Sequence, residues 1–397
     1  MKVLLLENIH PEAGSVFRMA RFHVEAKAEG LDPERESQAV EDVSILGIRS
    51  KTRITVDLLQ HASHLVAIGA FCIGTDQIDL DACSERGIAV FNAPYSSTRS
   101  VVELALGEII MLVRGVADSS AKLHSGVWKK SAAGSYEIRG KRLGIIGYGN
   151  IGSQLSVLAE SLGMEVWYFD LMEKLSLGNA RKCPFEELLR ISDIVTVHID
   201  GRDSNRNFIG EKEFAAMKPG AIFLNLSRGF VVDMEALAKY LASGKISGAA
   251  VDVFPEEPEG NLAPFSCMLQ GMPNVILTPH IGGSTEEAQQ NIGAFVAGRI
   301  VDYLATGNTS TSVNFPSIHP APTRYLHRFV HIHRNIPGML AKINDLFARH
   351  GINIAGQHLE TKGSIGYAVI DVQEECDPSV IEELNRIPHT IRSRIVY

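Results

Sequence analysis

Short apolar runs separated by amphipathic stretches recur along nearly the whole chain. Residues 2–6, 23–27, 43–48 and 64–68 read as strands, with helical spacing over 11–19 and 56–60. After an apolar helix over 100–116, a strand at 143–146 leads into apolar positions at Ile151, Leu155, Leu158, Ala159 and Leu162, which keep helical spacing. Strands at 166–169, 194–198, 221–226, 248–253 and 274–277 follow, with helices at 185–190, 212–217 and 234–243. Strands alternating with helices in this way predict an α/β chain of doubly wound parallel sheets. A long helix over 284–304 runs into residues 309–322, a stretch rich in Ser, Thr and Pro that has no period and reads as a linker. The order then changes to β-α-β-β-α-β, with strands at 326–333, 354–360, 365–372 and 391–396 and helices at 338–349 and 378–385. That is the ferredoxin-like order.

The most informative stretch lies between the first two strands of the middle region. Gly147-Tyr148-Gly149-Asn150-Ile151-Gly152 follows a strand and opens a helix, and Asp170 closes the next strand. Gly147 permits the tight turn, Gly149 lets the backbone approach a pyrophosphate, and Gly152 lets helix and strand pack closely. Free N–H groups at the helix start would receive the phosphates. Asp170 stands where a carboxylate accepts from the adenosine ribose hydroxyls, and it would repel a 2′-phosphate, so the motif favours NAD.

Composition narrows the setting without changing this picture. The 397 residues are 45% hydrophobic and 21% charged, with a formal net charge of −8, which suits a globular protein of two or three domains and argues against general nucleic-acid binding. The five cysteines are scattered, so neither a metal site nor a disulfide framework is indicated and a reducing cytoplasm is expected. No stretch reads as a signal peptide, and Glu103, Glu108 and Arg114 interrupt the most apolar helix, so no membrane span is expected.

Three polar residues follow the ends of late strands: Arg228, Glu257 and His280. Oxidation of a 2-hydroxy acid needs a group to take the hydroxyl proton, a cation for the carboxylate and a nicotinamide for the hydride. His280 suits the first task near neutral pH, and a carboxylate beside it would favour its protonated form. The planar fork of Arg228 suits the second. Spacing alone does not choose among Glu256, Glu257 and Glu259. Arg49, Ser50 and Lys51 follow another strand end, where open α/β sheets bind ligands. A glycine-flanked loop reaching Gly74 offers backbone N–H groups to a carboxylate. Lys129 and Lys130 read as a solvated surface pair.

The segments GYGNIG with Asp170, NLSRGFVVD, AAVDVFPEEP and LTPHIGGST resemble the D-isomer-specific 2-hydroxyacid dehydrogenases, in the short form that carries a C-terminal ACT domain. The likeness extends from GIRSKT to the terminal IRSRIVY. It implies that Arg228 binds substrate, that Glu257 is the acid paired with histidine, and that His280 is the acid/base. It places Asp252 on the nicotinamide carboxamide and lines the cofactor with Asn150, Ile151, Leu226, Ser227, Gly282 and Gly283. It implies a discontinuous substrate domain (residues 1–96 and 284–318), an NAD-binding Rossmann domain (97–283) and an ACT domain (325–397). Arg49, Ser50, Lys51, Gly74 and Lys130, the last from the same or a neighbouring subunit, would meet a phosphorylated three-carbon acid. The implied reaction is oxidation of D-3-phosphoglycerate to 3-phosphohydroxypyruvate, the first step of L-serine biosynthesis. The implied effector is L-serine, at His333, Asn335 and Asn353 of paired ACT domains in a homotetramer. Glycerate or 2-hydroxyglutarate is the rival substrate, and a non-catalytic sensor of NAD and an amino acid is the rival class. After the 194–198 strand the family usually has proline, and this chain has Asp200.

Overall fold

Apolar runs that are buried on both faces have nowhere to go but the middle of a parallel sheet covered by helices. The computed structural model shows this twice. It describes residues 1–32, 37–258, 263–322, 327–373 and 377–396; Glu259, Cys376 and the expected start of the last domain at Tyr325 and Leu326 lie outside the described residues. Contacts divide the chain into one unit of residues 1–96 and 289–397 and another of residues 97–288.

In the first unit, β1 (Lys2–Leu5), β2 (His23–Ala26), β3 (Ile45–Ile48), β4 (Ala67–Ala70) and β5 (Ala89–Phe91) form a parallel sheet of order β2-β1-β3-β4-β5. Expected at 64–68, the fourth strand instead begins at Ala67, because Leu65 N–H turns back to the Ala62 carbonyl. Gly69 is therefore a strand residue. A Cβ there would come within 2.8 Å of the Phe71 ring and 2.9 Å of Val296.

The expected linker at 309–322 is ordered along β5. Asn314 Oδ1 accepts from Val90 N–H at 2.9 Å, and its Nδ2 donates to the Ile88 carbonyl at 2.8 Å and Ser84 Oγ at 3.0 Å. One amide side chain thus stands in for a strand neighbour, a role that no periodicity signals.

The last sheet is antiparallel. Its strands are β13 (His327–Arg334), β14 (Ile354–Lys362), β15 (Ile365–Val372) and β16 (Thr390–Val396), in the order β14-β15-β13-β16, which with its two helices is the ferredoxin-like arrangement. Alternation along β13 divides its side chains between two cores. Val330 and Ile332 join Tyr303, Ile300 and Phe315, whereas Phe329 packs on the domain's own helices through Ile343, Phe347 and Leu384. Arg328 is buried in a bidentate pair with Asp371 and donates to the carbonyls of Thr306 and Ala321.

In the second unit, β6 (Arg142–Ile146), β7 (Glu165–Phe169), β8 (Arg181–Lys182), β9 (Ile194–Val197), β10 (Ala221–Asn225), β11 (Ile246–Val251) and β12 (Val275–Leu277) form one sheet. Its order, β12-β11-β10-β9-β6-β7-β8, is the Rossmann order with one further strand. Thr98–Arg114 covers one face. It stops at Gly115 (φ +60°), and a second helix, Val116–His124, begins there. That helix buries none of its residues, so it carries no apolar period to read. Among the described residues no helix is long and apolar enough to cross a membrane.

Candidate active site

The crevice of a doubly wound sheet opens at the carboxyl ends of its strands, where the order reverses. Here that point lies between β6 and β9. Gly147 leaves β6 with φ +92°, and a Cβ on it would come within 2.5 Å of the His198 carbonyl at the end of β9. A Cβ on Gly152 would lie 2.3 Å from the Gly147 carbonyl, so the helix Asn150–Ser161 can start this close to the strand only with glycine there. Gly149 meets nothing within 4 Å of an added Cβ, and it makes no side-chain cap. The result is an open cradle with uncapped N–H groups at the start of a twelve-residue helix. Asp170 is pinned beside it: its two oxygens accept from the N–H groups of Tyr148 and Met172, both at 2.8 Å. Tyr148 turns inward and stacks on Tyr168 at 3.8 Å. This cradle fits a dinucleotide pyrophosphate.

The ends of β10, β11 and β12 build the second part. His280 Nδ1 lies 2.8 Å from Glu257 Oε2, and Glu257 Oε1 accepts from the Phe254 N–H at 3.1 Å. The hydrogen bond to Glu257 holds the imidazole above its ordinary range, against burial. Burial would raise Glu257, but the bonds from His280 and Phe254 prevail and hold it low. His280 adopts φ +54°, a left-handed conformation that costs a non-glycine residue energy, and its N–H is tied to the Asp252 carbonyl at 2.8 Å. The Asp252 carboxylate holds the rest of that loop. It accepts from Thr278 Oγ1 at 2.6 Å and from the N–H groups of Ile281 and Gly282, each at 2.8 Å.

Arg228 is extended at the end of β10, with Nη1 donating to the Ser227 carbonyl at 2.8 Å. Its charge acts on both His280 and Glu257. Gly229 brings the loops together, since a Cβ there would come within 1.9 Å of the Phe254 backbone. Asn225 organises the turn: its Nδ2 donates to the Arg228 carbonyl at 3.0 Å, and its Oδ1 accepts from Ser227 N–H and Oγ. Gly201 of the departing 200–203 loop lies against Arg228, with an added Cβ 3.1 Å from Cγ. Asp200 forms a bidentate pair with Arg202 and is held low by it.

A family model for the D-isomer specific 2-hydroxyacid dehydrogenase NAD-binding domain matches residues 106–282. D-3-phosphoglycerate dehydrogenase of Escherichia coli (strain K12) is 49% identical over 401 residues, which cover 100% of this chain and 98% of that one. The chain belongs to the D-isomer specific 2-hydroxyacid dehydrogenases. It is an NAD-dependent dehydrogenase of the branch that ends in an ACT domain, and an ACT model, described as like that of the AHAS small subunit, matches residues 329–392. D-3-phosphoglycerate dehydrogenase of Dictyostelium discoideum is 46% identical over 398 residues, covering 100% of this chain and 97% of that one. A solved D-lactate dehydrogenase from Sporolactobacillus sp is 30% identical, with a TM-score of 0.68 over 79% of this chain and 99% of the other.

The remaining family positions fall in three places. Arg49, Ser50 and Lys51 follow β3, where Glu7 shapes the loop by accepting from Lys51 N–H at 3.0 Å and Thr52 N–H at 2.8 Å. Gln77 joins this loop to the next, donating to the carbonyls of Arg49 and Gly74. Neither Glu7 nor Gln77 stands out in the sequence, because each acts on backbone far along the chain. Lys129 and Lys130 are exposed on the segment after the helix Val116–His124. In the ACT domain, His333 and Asn335 lie at one end of β13. Asn353 precedes β14, whose Ile354 pairs across β15 with the level of His327, six residues away. At ~3.3 Å per residue that is ~20 Å, so one chain does not bring Asn353 to the other two.

Proposed function

We propose that the chain oxidises D-3-phosphoglycerate to 3-phosphohydroxypyruvate with NAD, the first step of L-serine biosynthesis. The observation that carries the chemistry is the 2.8 Å bond between His280 Nδ1 and Glu257, beside Arg228. Likeness over the full length to relatives named for this substrate supports its identity. Gly147, Gly149, Asn150, Ile151 and Gly152 would hold the pyrophosphate and Asp170 the adenosine ribose. Leu226, Ser227, Asp252, Gly282 and Gly283 would border the nicotinamide. Bound NAD supplies the acceptor for the C2 hydride. Since Nδ1 is committed to Glu257, Nε2 is the nitrogen left to take the C2 hydroxyl proton. The carboxylate of Glu257 then stabilises the imidazolium as it forms. Arg228 binds the substrate carboxylate and polarises the C2 oxygen. Arg49, Lys51 and Lys130, with Ser50, meet the phosphate and carboxylate, and the Gly74 loop offers its backbone N–H groups to the carboxylate.

L-serine is the proposed effector, bound by His333 and Asn335 of one chain and Asn353 of another. The ~20 Å separation within one chain supports a paired site. Paired ACT domains and a second pairing through the NAD domains make a homotetramer, in a cytoplasmic setting. Serine would then bias the same closure equilibrium that substrate biases.

The Arg49→Gln/Lys51→Gln double variant tests the substrate. It should lower kcat/KM for the phosphorylated acid by a factor of ~100 or more and leave glycerate or 2-hydroxyglutarate little changed. Equal losses on both kinds of acid would contradict the phosphate reading.

A further inference from the structure

The helix-facing side of β13 carries two histidines outside the catalytic chemistry. His331 is fully buried and His333 nearly so, and their Nδ1 atoms lie 3.1 Å apart. His331 Nε2 lies 2.9 Å from Thr390 Oγ1, which in turn lies 3.0 Å from the Leu384 carbonyl. A hydroxyl has one proton to give, and a carbonyl can only accept. Thr390 therefore donates to Leu384, and its oxygen accepts from His331 Nε2–H. Burial, reinforced by His333, pushes His331 down to about 3, so the ring is neutral. With Nε2 protonated, its Nδ1 is a bare acceptor. The short contact between the two Nδ1 atoms then requires the proton to sit on His333. Burial, against a hydrogen bond to the His331 backbone, holds His333 below the ordinary imidazole range as well, so with its proton on Nδ1 its Nε2 is bare. That nitrogen lies over Gly366, where a Cβ would come within 2.3 Å, and among the described residues it meets no donor.

We infer that Thr390 and His331 form a relay that fixes His333 in the Nδ1–H tautomer and makes its Nε2 an obligate acceptor, which takes the hydroxyl or ammonium of a small amino acid and not its carboxylate. This rests on the reading of His333 as an effector contact. His331 and Thr390 touch no ligand in it; they are positioning residues. Gly366 keeps open the space over which the ring lies.

The test uses the full chain labelled with ¹⁵N-histidine, with His333→Gln identifying the His333 signals. The relay predicts a protonated Nδ1 and a bare Nε2 in His333, and the reverse pattern overturns it. His331→Phe fills similar volume, and its side chain accepts no hydrogen bond. It should mix the His333 tautomers and raise the half-inhibitory L-serine concentration at least tenfold, with uninhibited kcat and KM unchanged. His331→Gln, whose amide oxygen can accept from Nδ1–H, should restore both. An unchanged half-inhibitory concentration in His331→Phe overturns the inference. If the native enzyme turns over but ignores serine, the effector reading and the ligand assignment fall, and the ¹⁵N spectrum still judges the relay.

Discussion

Replacing Glu257 with glutamine keeps an oxygen within reach of His280 but removes the charge that holds the ring above its ordinary range. A hydrogen bond to a charged group contributes ~1.5–3 kcal/mol, against ~0.5–1.5 for a neutral pair. The His280 and Glu257 side chains are 51% and 36% exposed, so solvent screens the difference and its lower end, ~1 kcal/mol, applies. That corresponds to roughly a fivefold fall in kcat at the plateau, where the imidazolium forms in the transition state. The pH profile carries the sharper prediction. Oxidation needs neutral His280, so its rate rises as pH climbs past the imidazole pKa. Glu257→Gln lowers that pKa, and the acid limb moves to lower pH. Reduction of the 2-oxo acid needs the protonated ring, so in the variant that activity is lost at a lower pH as pH rises. The assay is kcat/KM against pH in both directions at constant ionic strength, with NADH binding as a control on folding. An acid limb that stays in place, or moves to higher pH, refutes the pairing as the source of the shift.

Other consequences follow from single contacts. Asp170→Ala should raise kcat/KM with NADP roughly tenfold by removing a carboxylate from the site of the 2′-phosphate, measured with both cofactors. Asn314→Ala strips partners from the Val90 N–H and the Ile88 carbonyl, and should cost roughly 2–4 kcal/mol in denaturant unfolding. Glu108 is buried, and burial, then the nearby Asp252, pushes it up to about 8 against a bond from Thr278. A carboxyl whose folded pKa lies above its unfolded value loses stability as pH rises between the two. Glu108→Gln should therefore gain on the native protein by roughly 3–5 kcal/mol between pH ~4.5 and ~8, read from unfolding at several pH values.

Much of the fold was legible because parallel strands buried on both faces leave unbroken apolar runs, and because GYGNIG couples a turn, a close approach and a packing contact in six residues. The β-α-β-β-α-β order of the last domain was equally plain. What escaped lacked a period. The helix Val116–His124 buries nothing, and the 309–322 stretch is ordered through Asn314, whose partners Ser84, Ile88 and Val90 lie more than 200 residues away in the sequence. The polar residues that shape the sites escaped for the same reason. Asn225 sits inside an apolar strand pattern, whereas Glu7 and Gln77 act on loops from other strands. His333 was legible through the resemblance, but the relay depends on His331 and on Thr390, which only folding brings to it.

The most direct measurement is the rate of NADH consumption with 3-phosphohydroxypyruvate, taken with and without L-serine. Rapid consumption that serine suppresses is the predicted result. No consumption with this substrate, alongside turnover of a 2-oxo acid lacking phosphate, would contradict the account.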